Sequence, residues 1–530
     1  MVKERDFGLI TGNDAKINGY KEITVTTDEN IVLDRSGTEV KVKLNTNNFQ
    51  APITGTPGKI ASFDDNGNII SVDPVAINPD APIHPKIESY GFIIDMNESN
   101  PDSMITYIND NRSFAPARIC SRRYTSGWKF AYQSEFSYGD WGNAWFIKNL
   151  KLCVLSYNGN VSYEIDKTDY KKKLDGSSSQ VTEESLNGNT MVGIPTVWIK
   201  IKNLGNNKYQ ISFSNYKLDN SYHAYAHHDN NGNIMPYTYI AAYTGWIDGS
   251  GRLRSLSGKA VPDDTSYTVS SLVTAARKNN PSGVDIWDIE KFVDRNLINM
   301  LLMLISRSTN TQVAFGCGNS IGEAYPAVGA NRNGILPTGT LDDAGSSWLY
   351  DSLFYGEYMA SDDEDPKRNL AMKVFGIENW WGNISRLTMG LAYPGSFSGG
   401  SFRWFYKLTK GTEDGSGVYG FDINELNNDA GPTGWIDSGI SPSGGTYIKT
   451  LNIMNDGAML FDRGGASSTT YFCDAAGTTT FTALAVYGGY AGTSPTFEDP
   501  GAFNVTTRPT SSTMASYMIA ALSCKPTVTT

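Results

Sequence analysis

The chain has 530 residues, of which 40% are hydrophobic, 12% aromatic and only 19% charged, and it contains 53 glycines and 29 tyrosines. This composition predicts a turn-rich, β-dominated globular protein rather than a disordered one, and the length predicts about three domains. The net charge of -11 argues against a broad nucleic-acid-binding face, because phosphate binding requires clustered Lys and Arg.

Membrane and disulfide-stabilised proteins are also disfavoured. Residues 1–12 are charged and lack the apolar segment of a secretory signal, and no run approaches the roughly 18 apolar residues of a transmembrane helix. We therefore expect no membrane insertion. The cysteines are scattered without C-x-x-C spacing, so we expect reduced, mostly buried thiols in a protein made in a cytoplasm; they are Cys120, Cys153, Cys317, Cys473 and Cys524.

Residues 1–85 alternate short β-type runs with polar turns. EITV, NIVLD and EVKVKL come first, and TGTPGKIASFDDNGNIISVDP then predicts two strands around an Asp-Asn-Gly-Asn turn. Because this segment has little to fill a core, we expect an attachment segment whose strands pair with those of other chains. Prolines at positions 79, 82 and 85 predict a stiff linker at its end.

Residues 86–218 continue the β pattern in YGFIIDM, MITYI, WKFAY, AWFIK, KLCVLSY, PTVWIKIKN and KYQISFS, with GSSSQVTEESLNGN as an exposed loop. Residues 219–530 differ. TVSSLVTAARKN, 268–279, starts with Thr and ends with Arg and Lys before a proline, which predicts a helix. DIEKFVDRNLINMLLMLIS, 288–306, has the apolar spacing of a second helix. We predict a mostly β protein with a C-terminal α+β domain of two helices and large irregular loops.

Several segments from residue 195 onward follow one another in a specific order: PTVWIKIK, YHAYAHHDNNGNIMPYTYIAAYTG, RLRSLSGKAVP, LLMLISRSTNTQ, FGCGNS, VFGIENWWGN, YGGY, PGAF and MIAAL. This order resembles that of bacteriophage tail proteins whose C-terminal part is a C-type-lectin-like domain. Phage major tropism determinants and the formylglycine-generating enzyme share that fold. Residues 90–117 are similar to a segment that opens many of these tail proteins, and TGTPGKIASFDDNGNI is similar to fibre attachment regions.

The resemblance implies a tail fibre or receptor-binding protein, made in the cytoplasm of a bacterial host and located in the virion tail. Such a protein adheres non-covalently to a bacterial surface glycan or protein, contacts other tail proteins through its N-terminal segment, and by analogy with fibre proteins forms a homotrimer. It needs no cofactor or metal. The alternatives are an architectural component such as a baseplate, collar or head fibre, and an enzyme, either a surface-glycan depolymerase or a formylglycine-type oxidase.

Catalysis is not expected, because the sequence departs from the enzyme of this fold. The formylglycine-generating enzyme continues the Gly-Asn motif with Trp-Glu-Trp and later carries Arg-Gly-Gly-Ser-Trp, whereas this chain reads ISRL at 384–387 and VYGGY at 486–490. MIAALSC also stands where an arginine-containing strand would be.

The resemblance assigns a structural role to the motif of Glu378, Asn379, Trp380, Trp381, Gly382 and Asn383. It implies that this motif closes a core strand and turn and that both tryptophans pack against the two helices. The alternative is that one tryptophan stacks on a sugar. A buried tryptophan pair stabilises a fold by several kcal/mol through its apolar area.

Receptor contact is expected between the Gly-Gly turn and the last strand, by resemblance. The candidates are Tyr490, Thr493, Ser494, Thr496, Phe497, Glu498, Asp499, Asn504, Thr506 and Arg508. Aromatic side chains offer rigid contact area, and carboxylates accept hydrogen bonds from sugar hydroxyls. A second candidate patch lies among glycines and serines, where strand alternation could bury half of its members: Phe397, Phe402, Trp404 and Tyr406.

One cluster offers potential metal ligands, namely His223, His227, His228 and Asp229. In a strand His223 and His227 would share a face and His228 would point away, so we expect no metal site. The following DNNGN resembles the start of a calcium loop but lacks the later acidic ligand, and a hairpin turn is expected instead.

Overall fold

Strands predominate in the protein, as the mostly β prediction requires, and this prediction is confirmed. The computed structural model describes residues 31–36, 39–44, 60–63, 69–72, 87–125, 131–261, 266–316, 318–319, 335–342, 352–354, 372–393, 403–407, 436–442, 444–478, 483–489, 501–509 and 518–528. The chain divides into two compact units, Met1–Lys86 and Ile87–Thr530.

The first unit contains two antiparallel hairpins. Strand β1 (Ile31–Ser36) pairs with β2 (Glu39–Leu44), and β3 (Ile60–Phe63) pairs with β4 (Ile69–Val72). These strands confirm the predictions made from NIVLD, EVKVKL and TGTPGKIASFDDNGNIISVDP. The first predicted strand, EITV, and the Asp-Asn-Gly-Asn turn lie outside the described residues.

The second unit holds the other strands and the helices. Its strands are β5 (Ser89–Asp95), β6 (Ile105–Asn109), β7 (Arg118–Thr125), β8 (Ala131–Ser137), β9 (Lys151–Leu155), β10 (Val161–Glu164), β11 (Asn189–Pro195), β12 (Trp198–Gly205), β13 (Lys208–Ser214), β14 (Tyr237–Ala241), β15 (Trp246–Ile247), β16 (Leu253–Arg254), β17 (Trp287–Ile289), β18 (Ser352–Phe354), β19 (Lys373–Val374), β20 (Ile377–Glu378), β21 (Ser385–Tyr393), β22 (Phe405–Tyr406), β23 (Ile436–Asp437), β24 (Ile448–Ile453), β25 (Met459–Arg463), β26 (Ala483–Tyr487), β27 (Val505–Pro509), β28 (Met518–Ala520) and β29 (Leu522–Cys524). Its helices are α1 (Trp145–Lys148), α2 (Val269–Arg277), α3 (Phe292–Ser306) and α4 (Thr311–Phe315).

One six-stranded antiparallel sheet joins distant parts of this unit, in the order β10-β9-β11-β14-β29-β17. The last strand, β29, inserts between β14 and β17. The boundary expected near residue 218 therefore passes through a sheet, because β9 to β11 precede it and the other three strands follow it. Residues on both sides of 218 belong to one compact unit.

Smaller sheets surround this one. The order β12-β13-β5-β6 forms a four-stranded antiparallel sheet, and β18-β8-β7 forms a three-stranded sheet. A C-terminal sheet has the order β23-β22-β21-β26-β27, with β28 parallel to β21. Three hairpins complete the unit: β15-β16, β19-β20 and β24-β25.

Both predicted helices are confirmed. In α2 the Thr268 hydroxyl accepts a hydrogen bond from the Ser271 backbone N–H, 3.1 Å away, while the Ser271 hydroxyl accepts one from the Thr268 N–H, so a capping box starts the helix as its sequence indicates. Helix α3 is buried along its whole length, its polar residues included. The segment AWFIK differs from the expectation, because it forms the one-turn helix α1 instead of a strand.

Two adjacent charged residues of α3 have separate sets of partners. Arg295 donates from Nε to Glu290 Oε1 over 2.8 Å and from Nη1 to the Trp380 carbonyl over 3.0 Å. Asp294 accepts from the Ser523 hydroxyl over 2.7 Å and pairs with Lys525, whose ammonium also donates to the carbonyl of Ala226. Paired and hydrogen-bonded in this way, the charges tolerate burial.

The turn formed by residues 380–383, here called the Trp-Trp turn, contacts α3 and two other segments of the family resemblance, FGCGNS and YGGY. The Trp380 indole donates to Asn299 of α3 over 3.0 Å, and the Trp381 indole donates to the Gly316 carbonyl after α4 over 2.9 Å. Both side chains are 0% exposed, so neither ring is open to a sugar in solvent. The Gly382 N–H donates to the carbonyl of Gly488, in the Gly-Gly turn, over 2.7 Å.

Close backbone approach at this turn leads to a first prediction. Gly382 has φ +72°, and a Cβ there would lie 2.8 Å from the Asn319 nitrogen and 2.9 Å from the Gly318 Cα. Gly283 has a similar φ, +76°, but open space around it. Both Ala variants carry the left-handed penalty of about 1–2 kcal/mol, so we expect Gly382→Ala to lower the unfolding free energy in urea well beyond Gly283→Ala. Equal losses would contradict the packing of this turn.

The buried arginines give a second prediction. Arg386 is also 0% exposed, but its nearest carboxylate contact is 3.5 Å, from Nε to Glu290 Oε2, and its Nη atoms make no hydrogen bond with the described residues. Removing Arg295 leaves Glu290 poorly paired, so Arg295→Met should cost about 3–5 kcal/mol of unfolding free energy. Arg386→Met should cost clearly less, because it removes a poorly satisfied charge. The reverse order in chemical denaturation would refute this assignment of partners.

Candidate functional site

Most of the expected receptor-contact segment, residues 490–500, lies outside the described residues. Tyr490, Thr493, Ser494, Thr496, Phe497, Glu498 and Asp499 belong to that part. Of the three described candidates, Asn504 is only 6% exposed, and its backbone carbonyl accepts from the Gly488 N–H over 2.8 Å. Thr506 and Arg508 are half-buried and alternate along β27, so they share a face of this strand.

The described half of the second candidate patch is buried. Trp404 is 0% exposed, and its indole donates to the Phe461 carbonyl over 3.2 Å. Tyr406 is 2% exposed, and its hydroxyl donates a hydrogen bond to the Asp456 carboxylate over 2.8 Å. Neighbouring residues of β22 are both buried, so this short strand lies inside the core and does not alternate between core and solvent. Phe397 and Phe402 lie outside the described residues.

The histidine segment does not form the expected continuous strand. His223 bridges to Ile199 and His228 to Ile234 in isolated pairs. His227 is fully buried with one ring nitrogen 3.3 Å from the Ile194 carbonyl. Burial, followed by the nearby Lys525 ammonium, lowers the pKa of His227 to about 3. Its imidazole is therefore neutral at physiological pH.

Asp229 uses its carboxylate within a turn, as the hairpin interpretation requires. It accepts from the backbone N–H groups of Asn231 and Asn233 at 2.9 and 2.8 Å, and from that of Val528 at 2.9 Å. Within the described ranges, no three His, Cys, Asp or Glu side chains lie close enough to hold a metal ion. The helices of the described residues all lack the length and apolarity needed to cross a bilayer.

Three cysteines can be placed, and all are buried and outside any disulfide. They are Cys153, Cys473 and Cys524. Burial raises the pKa of Cys153 to about 12 and that of Cys524 well above its ordinary value. A thiolate is the reactive form of cysteine, so these two residues are chemically inert at neutral pH. The side chain of Cys120 and the whole of Cys317 lie outside the described part of the chain.

Two buried carboxyl groups, Glu378 and Asp342, lie near one another beneath the Trp-Trp turn. Asp342 accepts hydrogen bonds from the hydroxyls of Tyr243 and Ser257, at 2.8 and 2.5 Å. Glu378 accepts from the Gly339 N–H over 2.7 Å, and burial together with the Asp342 charge raises its pKa to about 7. Both side chains are less than 7% exposed, so this pair is closed to solvent.

An open polar cleft of about 370 Å³ forms where three loops of the second unit converge. The first is the β9–β10 turn with Tyr157, the second is the loop 184–187, and the third is the turn 248–252 between β15 and β16. Its volume is within the range of small-ligand sites, roughly 300–1,000 Å³. The cleft lies at the end of the six-stranded sheet that carries β9, β10 and β11.

Arg254 fixes the wall of this cleft from inside. It is 2% exposed, and its guanidinium donates to the carbonyls of Leu186 and Gly188 over 2.7 and 2.8 Å and to the Asp248 carboxylate over 3.1 Å. A further bond joins its Nε to Asn189 over 3.2 Å. A saturated, buried arginine holds the loop and the hairpin turn in one arrangement before any ligand arrives.

The mouth of the cleft carries the side chains that remain available for a ligand. Arg252 lies over the Tyr157 ring, 4.9 Å from its centroid, and among the described residues its guanidinium makes one hydrogen bond, from Nε to the Lys278 carbonyl. Glu184 is exposed, and one of its oxygens contacts Lys259 over 3.3 Å. The exposed side chains of Ser185 and Asn187 make no hydrogen bond with the described residues.

Sequence patterns do not reveal this cleft. GSSSQVTEESLNGN predicts only an exposed loop, and KLCVLSY predicts a strand. RLRSLSGKAVP is one of the segments of the family resemblance. The only local signal is the acidic, polar character of residues 183–187. The convergence of the three loops depends on the pairing of β9 with β11 and on the bonds of Arg254, both of which are tertiary.

The buried imidazole gives a third prediction, on pH. The pKa of His227 is about 3 in the folded protein and about 6.5 in an unfolded chain. Between these values only the unfolded chain takes up the proton, so the unfolding free energy falls as pH drops below about 6.5, by up to roughly 1.4 kcal/mol per pH unit. The raised pKa of Glu378 changes the unfolding free energy in the opposite direction. Glu378 is present in both the wild type and the His227→Gln variant described next, so its effect cancels in their comparison.

In His227→Gln this contribution is removed, and the slope of unfolding free energy against pH between about 6 and 4 should be shallower than in the wild type. Urea denaturation at several pH values measures both slopes. The comparison of slopes separates titration from any loss of packing, since a packing defect lowers stability at every pH. Parallel curves would show that His227 does not titrate as its burial implies.

Comparison with known proteins adds no family assignment. Neither protein-family models nor curated protein sequences gave a significant match to this chain. The resemblance to lectin-like phage tail proteins therefore rests on the ordered segments of the sequence, and the cleft and the Trp-Trp turn are the structural features from which a function can be argued.

Proposed function

We propose that the protein is a bacteriophage tail fibre or receptor-binding protein that adheres non-covalently to a bacterial surface through a C-terminal C-type-lectin-like domain. The main support is that three of the resembling segments, VFGIENWWGN, FGCGNS and YGGY, meet at the Trp-Trp turn. The indoles of Trp380 and Trp381 bond to α3 and to Gly316, and Gly382 bonds to Gly488. Segments that only share a sequence order with the family are thus in mutual contact.

Binding rather than catalysis is favoured by how the buried carboxylates are used. Glu290 and Asp294 pair with Arg295 and Lys525, while Asp342 accepts hydrogen bonds from hydroxyl groups. These groups stabilise the core and are not presented to a substrate. The open polar groups lie instead on loops of a rigid sheet, the usual location of recognition residues.

The first unit suits the attachment role of this proposal. Its two hairpins, β1–β2 and β3–β4, are short two-stranded pairs, which are marginally stable alone in water. Pairing with equivalent strands in a homotrimer, and contact with other tail proteins, would supply the missing stability. Three copies would also raise the strength of attachment through multivalency.

The fourth prediction concerns attachment. Fluorescently labelled wild-type protein should bind cells of a susceptible strain within a bacterial panel, and also bind their isolated surface polysaccharide or envelope protein. The double variant Tyr490→Ala, Phe497→Ala should bind more weakly at an unchanged melting temperature, because exposed aromatic side chains supply contact area without supporting the core. Flow cytometry and thermal unfolding measure the two quantities.

Absence of binding to every strain by the trimeric wild type would refute the adhesin. Unchanged binding by the double variant would refute only the contact segment. Electron microscopy of virions labelled with an antibody to the second unit separates a tail fibre from a baseplate, collar or head fibre. Mass analysis of a capsule digest, or of a cysteine-containing peptide after incubation, separates a binding protein from a depolymerase or a formylglycine-type oxidase.

A further inference from the structure

We propose that the polar cleft between Tyr157, Glu184 and Arg252 binds an acidic saccharide, with a carboxylate on Arg252 and neighbouring hydroxyls on the loop 184–187. This inference rests on the proposed function, because it names the class of ligand for attachment. The site is formed by Tyr157, the loop 184–187 and the turn 248–252, and not by the residues 490–508 considered above.

Charge balance within the cleft identifies the anionic part of the ligand. Asp248 is neutralised by Arg254, and Glu184 contacts Lys259. Arg252 and Lys278 are left without a carboxylate partner among the described residues; the Lys278 ammonium reaches only the Ser250 carbonyl, over 3.4 Å. The lining residues balance, with Arg252 and Arg254 against Glu184 and Asp248. The excess positive charge comes from Lys259 and Lys278 beside the cleft, which contact Glu184 and the Ser250 carbonyl. An anion is attracted to this position and repelled by most of the remaining chain.

The geometry of Arg252 suits one oxyanion group. Its Nε is occupied by the Lys278 carbonyl at 3.2 Å, and its guanidinium lies over Tyr157 at 4.9 Å. These two contacts orient the planar group, and its two Nη groups make no hydrogen bond with the described residues. Two parallel N–H donors match the two oxygens of a carboxylate or phosphate.

The other side chains at the mouth suit hydroxyl groups. Glu184 is an acceptor, Asn187 is both donor and acceptor, and Ser185 can be either. All three are exposed and lie on one loop held by the Arg254 bonds. A ligand that satisfies them donates and accepts at adjacent positions, as the hydroxyls of a pyranose do. An inorganic anion satisfies Arg252 alone.

Isothermal titration of the full-length protein tests the proposal with defined probes: tetrasaccharides of galacturonic, glucuronic and sialic acid, their carboxyl-reduced neutral counterparts, and inorganic phosphate. We expect at least one acidic tetrasaccharide to bind at least tenfold more tightly than its neutral counterpart and than phosphate. The acidic preference should weaken as salt is raised.

Two substitutions that remove the same charge provide the matched comparison. Arg252→Gln should lose the acidic preference, at least tenfold, whereas Arg112→Gln, which changes an exposed arginine outside the cleft, should retain it. Asn187→Ala should weaken the binding of acidic and of neutral tetrasaccharides by similar factors. Each variant is checked by its melting temperature, and Arg252→Lys, which keeps the charge, should recover part of the affinity if Arg252→Gln is unstable.

Equal affinity for acidic and neutral tetrasaccharides, equal affinity for phosphate, or an unchanged acidic preference in Arg252→Gln would each overturn the proposal. Cell binding separates its failure from that of the adhesin. If wild type and Arg252→Gln label cells equally, attachment stands and the acidic cleft fails. If no strain is labelled but an acidic tetrasaccharide binds through Arg252, the cleft stands and the adhesin fails.

Discussion

The buried charge pair of α3 is the constraint on which the second unit depends. Asp294 and Arg295 are neighbours on a helix without an exposed face, so each requires a partner inside the protein. Arg295 is satisfied by Glu290 and the Trp380 carbonyl, and Asp294 by Lys525 close to the chain end. Because an unpaired buried charge costs several kcal/mol, the Trp-Trp turn and the segment after the last strand are both fixed to one helix.

The loops that line the cleft are held in place by this arrangement. Lys525 follows β29 directly, and β29 fills the gap between β14 and β17 in the six-stranded sheet. That sheet also contains β9, β10 and β11. The β9–β10 turn carries Tyr157, and the loop 184–187 directly precedes β11. Arg254 then joins the loop to the β15–β16 turn. The cleft is therefore preorganised by buried bonds, while its own open side chains take no part in the core.

Local sequence signals predicted those elements that local interactions determine. The capping residues of α2, the helical spacing of α3 and the N-terminal hairpins all have a short-range cause, and their positions agree with expectation. AWFIK failed because a short apolar run is equally compatible with a buried helix turn. The domain boundary at 218 and the complete burial of α3 depend on strands pairing across hundreds of residues, which no local pattern records.

Aromatic content misleads about the site for a related physical reason. Trp380, Trp381 and Trp404 are conspicuous in sequence, but each is 0% exposed and bonded through its indole to the core. Replacing them changes the fold. Side chains such as Glu184 and Asn187 can change without disturbing α3 or Arg254, since they contribute little to the core. For the proposed attachment function, this separation would let the recognition residues vary at constant stability.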